Sequence, residues 1–105
     1  MEQVGLSSPG WQMSGFLART FLDRLLGLRR APTGSALVMP VRSVHGFGMR
    51  YPIPVIGLDA DMRVVSTRTL RPNRVMVIPT ARILVELPPG QPVPRIGDRV
   101  EVTSG

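Results

Sequence analysis

Turn-forming residues interrupt this chain at intervals too short for a run of long helices. Beyond Ala31 they fall at Pro32, Gly34, Pro40, Gly46, Gly48, Pro52, Pro54 and Gly57, and again from Pro88 through Gly90 to Pro94 and Gly97. Proline lacks the N–H that a helix interior needs, and glycine gives up the most conformational freedom when held in one. Between these breaks lie short apolar runs of strand length. Eleven glycines and eleven prolines in 105 residues therefore favour many short strands joined by turns over a helical bundle.

One stretch reads differently. Thr20 and Asp23 resemble a capping box, and Phe21, Leu22, Leu25, Leu26 and Leu28 cover a wide helical arc. A helix over Thr20–Arg29 docked on the core is expected, stopped by Ala31-Pro32-Thr33-Gly34. Strands are expected at 11–19, 35–39, 43–51, 55–58, 63–68, 75–78, 82–87 and 99–103. In 82–87, Ile83, Val85 and Leu87 would point inward, with Arg82 and Glu86 on the other side. Residues 1–10 read as a flexible leader and 11–105 as a single globular domain. The expected fold class is α+β, mainly β: a curled antiparallel or mixed sheet, or a small open barrel, with one docked helix.

Composition narrows the function classes. With 43% hydrophobic and 19% charged residues the chain is globular, and its length buries roughly 60–70% of the unfolded surface without staples. Cysteine is absent, which removes thiol catalysis, thiolate metal sites and disulfides. The first residues lack the basic start and apolar run of a signal peptide, and no apolar stretch approaches the ~20 residues that span a bilayer. The reading is a soluble, cytoplasmic protein. All 13 basic residues are arginines, giving a formal charge of +6. They are scattered, which is how GC-rich codon usage distributes them, and five aromatics leave little for base stacking. Nucleic-acid binding is therefore disfavoured.

The chemistry-bearing stretch runs from His45 to Asp61. Extended, it would put His45, Phe47, Met49 and Tyr51 on one inward face and Gly46, Gly48 and Arg50 on the other. The bare glycine face suits close approach by a strand or a ligand, with the Arg50 guanidinium orienting an anion. The only histidine admits two readings: a partly buried group bonded to backbone, or a base or ligand contact. Asp59 and Asp61 could hold a cation, but flanking a hairpin they fit a turn better. Hydrolase elbows, phosphate loops and dinucleotide fingerprints are missing, and no metal or cofactor is expected.

His45-Gly-Phe-Gly-Met-Arg-Tyr-Pro-Ile53 followed by Leu58-Asp59, together with Arg24-Leu-Leu-Gly-Leu28, Leu70-Arg-Pro-Asn-Arg74 and Val85-Glu-Leu-Pro-Pro-Gly90 with Gly97-Asp98, resembles the family called domain of unknown function 192. The likeness runs from about Ala18 to Val102. Pro54 stands where the family usually has aspartate, Gly57 where it has an aromatic, and Asn73 where it has tryptophan. The family has no established activity, so the resemblance implies a mainly β fold and no chemistry. In some bacteria relatives sit beside genes for pilus or secretion machinery. The expectation is a small binding or accessory module whose face carries His45, Gly46, Gly48, Arg50, Arg71 and Arg74, with a protein partner. The alternative is an enzyme or small-anion-binding protein using His45 and Arg50.

Overall fold

The structure is a computed structural model and describes residues 2–19 and 34–104. Among the described residues nine strands occur in order: β1 (Glu2–Ser8), β2 (Trp11–Leu17), β3 (Ala36–Met39), β4 (Ser43–His45), β5 (Ile53–Leu58), β6 (Val64–Leu70), β7 (Val75–Val77), β8 (Ile83–Glu86) and β9 (Glu101–Ser104). Seven form one open, mixed sheet in the order β6-β5-β8-β3-β2-β1-β9, and β4 and β7 pair as a separate ribbon. Among the described residues only β2 and β3 run parallel. The two sheet edges come together at one end, where Arg63 bridges Arg99 and Val64 N–H donates to the Asp98 carbonyl at 2.9 Å.

Both faces of the central strands are buried. Ala36, Val38, Ile56, Leu58 and Val85 belong to one core, while Leu37, Met39, Val55 and Leu84, their alternating neighbours, belong to a second. Strands covered on both sides read as continuous apolar runs, which is why 36–39 and 55–58 do. The ribbon closes the second core by pressing Val44 and Met76 onto it. Burying a leucine such as Leu84 stabilises by roughly 1.5–3 kcal/mol. Trp11 seals the first core and donates its indole N–H to the Pro92 carbonyl at 2.8 Å, tying down the proline-rich loop.

Three expectations need correction. The α+β class with a docked helix gives way to a mainly β architecture with no helix among the described residues. The stretch Thr20–Arg29, on which that helix was expected, lies outside them. Part of the cover of the sheet comes from the β4–β7 ribbon, whose Val44 and Met76 belong to the second core. Residues 2–8, expected within a flexible leader, form β1, which pairs with β2 along its length and with β9. The long strand expected over 43–51 stops at His45, because the next residues form a tight turn. No helix among the described residues is long and apolar enough to cross a membrane.

Candidate functional site

Gly46, Gly48, Arg71 and Arg74 meet on two turns at one end of the ribbon. The first, Gly46-Phe47-Gly48-Met49, closes with Met49 N–H donating to the Gly46 carbonyl at 3.1 Å. Gly48, at its third position, has φ +80°, the signature of a type II turn. Nothing lies within 4 Å of where its Cβ would be, so conformation and not crowding selects glycine there. The second turn, Arg71-Pro72-Asn73-Arg74, closes with Arg74 N–H to the Arg71 carbonyl at 3.2 Å. Pro72 presets its second position, and Asn73 takes φ +61° at the third.

Backbone hydrogen bonds lock the turns together. Asn73 N–H reaches the Gly46 carbonyl at 2.9 Å, and Gly46 N–H reaches the Arg74 carbonyl at 2.8 Å. A Cβ on Gly46 would collide with the Arg71 carbonyl oxygen. Gly46 is thus buried against backbone and is not a bare surface for a ligand.

His45 also departs from expectation, since it is exposed. The turn after it breaks the period of two, so the supposed inward row separates. Only Met49 packs on the core, while Phe47 is 61% exposed and Tyr51 is exposed as well. The His45 ring stacks on Phe47 with centroids 4.9 Å apart. Its Nδ1 accepts the Phe47 N–H at 3.3 Å, which leaves Nε2 outward. Across the ribbon His45 faces Val75 and Ser43 faces Val77, and both valines are exposed. One end of the ribbon therefore carries an apolar face of His45, Phe47, Val75 and Val77.

Arg50, Arg71 and Arg74 are exposed and make no side-chain hydrogen bond or ion pair among the described residues. The sequence has no carboxylate in 24–58 or 62–85, so none of the three arginines has an acidic neighbour within its own segment. An ion pair lies elsewhere, where Arg19, just past the end of β2, meets Glu2 of β1 at 3.2 Å. Asp59 serves its own hairpin: its Oδ1 accepts the N–H groups of Asp61 at 2.9 Å and Arg63 at 3.0 Å. No cluster of three potential metal ligands occurs among the described residues.

Comparison with known proteins places this fold. A UPF0127 protein of Pyrococcus horikoshii is 35% identical over 102 residues, spanning 87% of this chain and 89% of that one. The chain belongs to the UPF0127 family. A second UPF0127 protein, from Pyrococcus abyssi, is 34% identical over 102 residues with 87% of each chain covered. No family model matches the chain. Among solved structures, a proposed transcription regulator of Sinorhizobium meliloti superposes with TM-score 0.71 at 18% identity, covering 96% of this chain and 92% of that one. A protein of unknown function from Novosphingobium aromaticivorans gives TM-score 0.68 at 16% identity, covering 94% and 83%. At such identity these two show likeness of fold alone.

One titratable residue of this UPF0127 chain escaped the sequence reading. Glu86, expected on an outer face, is 5% exposed. It sits in β8 between Leu37 of β3 and Val55 of β5, on the face of the second core. Its carboxyl makes no hydrogen bond among the described residues, and desolvation pushes it up to about 7. Leu84, two residues earlier on the same face, was the available signal that this face is covered.

Proposed function

We propose that this chain is a small binding module that seats an acidic segment of a protein partner on the interlocked turns and the outer face of the ribbon. The observation that carries this reading is the exposed apolar face of His45, Phe47, Val75 and Val77, flanked in sequence by exposed Arg50, Arg71 and Arg74, which make no ion pair among the described residues. Guanidinium forks match carboxylates two-pronged, and the apolar face supplies the desolvated centre that interfaces need. Gly46 and Gly48 hold the turns, while the arginines and Phe47 make the contacts. Small-ligand sites are concave, whereas these groups stand on exposed turns, which favours a macromolecular partner over the small-anion reading with His45 and Arg50. The resemblance to domain of unknown function 192, with relatives beside pilus or secretion genes, offers one setting for such a partner.

A labelled oligoglutamate peptide is a suitable probe. Each charge-assisted hydrogen bond is worth about 1.5–3 kcal/mol, so Arg50→Gln, Arg71→Gln and Arg74→Gln should each weaken binding about tenfold with an unchanged Tm. Equal losses from Arg82→Gln and Arg95→Gln would show attraction to net charge alone and overturn the reading.

A further inference from the structure

The strand leading into the arginine turns has an unused edge. β6 pairs only with β5 within the sheet. The Leu87 N–H to Pro54 carbonyl bond, 2.9 Å, and the Arg82 N–H to Leu58 carbonyl bond, 2.7 Å, turn those β5 residues toward β8. By alternation, Val55 and Ile53 turn toward β6 and engage Arg68 and Leu70. Thr67 and Thr69 consequently aim their N–H and C=O groups away from the sheet, and neither is hydrogen-bonded on that side among the described residues. The near end of the same edge is already used. There Val64 N–H donates to Asp98, Gly97 N–H donates to the Val64 carbonyl at 2.8 Å, and Val100 N–H donates to the Met62 carbonyl at 2.8 Å. The chain then turns at 95–98, where Asp98 N–H donates to the Arg95 carbonyl at 3.0 Å, and Ile96 in this turn is 68% exposed. The edge thus accepts an added strand over 62–64 and leaves Thr67 and Thr69 vacant.

We infer that the acidic segment is held as an added β-strand on β6, hydrogen-bonded to Thr67 and Thr69, with its carboxylates reaching Arg68 and the turns of Arg71 and Arg74. This deepens the reading above and rests on it. Leu70 runs directly into Arg71, so an extended segment along this edge ends beside the unpaired guanidinium groups. Main-chain hydrogen bonds would supply affinity and the arginines selectivity, as in strand addition generally. Charge decides the occupant. Pairing β6 with β6 of a second copy would bring Arg68, Arg71 and Arg74 of both chains together in a molecule of charge +6, so self-pairing is opposed and an acidic partner is favoured.

The probe is a peptide of alternating glutamate and valine, made unmodified and in two N-methylated versions, each methylated at alternate residues. In strand addition only one set of amides faces β6. One methylated version should therefore lose at least about tenfold in affinity while the other binds as the parent does, and the Thr67 and Thr69 amides should gain hydrogen-exchange protection. Thr67→Pro removes an outward N–H at an edge position where proline is tolerated, and should reduce binding with little change in Tm. Equal binding by both methylated versions, without protection at Thr67 and Thr69, would overturn strand addition. If Arg71→Gln and Arg74→Gln still weakened that binding, the module reading would stand without it; if they did not, both would fall.

Discussion

At the residue scale the two turn glycines are required for different reasons, and substitution separates them. Gly46 faces the Arg71 carbonyl with no room for a methyl group, so Gly46→Ala should cost about 1–3 kcal/mol through overpacking, more if the turns part. Gly48 has space but a left-handed φ. Gly48→Ala should cost about 1 kcal/mol, and a β-branched Gly48→Val more, because such residues avoid that region. Urea unfolding of the variants checks both. Glu86 makes stability depend on pH. Burial raises its folded-state pKa from 4.5 to about 7, so the folded chain holds a proton that the unfolded chain has released. Its contribution is complete below about pH 4.5 and is lost as pH rises through 7. At roughly 1.4 kcal/mol per pKa unit the loss is about 3 kcal/mol. Glu86→Gln should flatten that slope and leave the variant more stable than the parent at pH 8, read from denaturant midpoints across pH.

At the element scale, the strands bounded by turn residues were legible, and those defined by long-range cover were not. β3, β5, β7 and β8 lie within a few residues of expectation because Pro40, Pro52, Pro79 and Pro88 bracket apolar runs. β1 was hidden because only Val4 and Leu6 of its residues are buried apolar groups, too short an alternation to outweigh its polar neighbours. The turn that carries Arg71 and Arg74 was legible from Pro72, and it does meet the turn of Gly46 and Gly48, but which side chains the two expose was not. Alternation carried through 45–51 put His45 inside, and the type II turn at Gly48 ended that alternation. Cover of the second core likewise buried Glu86, which alternation alone placed outside. Gly57 is a glycine set by close packing. A Cβ at this position would lie 3.1 Å from the Ala81 Cβ and 3.3 Å from the Ile78 Cγ2, leaving no place for an aromatic unless the 78–81 turn moves. Leu84, fully buried at the centre of the second core, tests whether the ribbon and sheet share that core. Leu84→Ala should cost about 2–5 kcal/mol in urea unfolding.

At the scale of the whole molecule, the +6 charge would draw any acidic probe weakly to many surfaces, and salt screens such attraction within about 10 Å at 0.1 M. The account requires more than this: a localised contact in which desolvated apolar groups and paired arginines act together. Amide chemical-shift mapping during titration with an oligoglutamate peptide at 0.15 M salt separates the two most directly. The account predicts perturbations concentrated at Gly46–Arg50 and Leu70–Val75, sharply reduced in Phe47→Ala. Perturbations spread evenly over Arg63, Arg82, Arg95 and Arg99, and unaffected by Phe47→Ala, would contradict it.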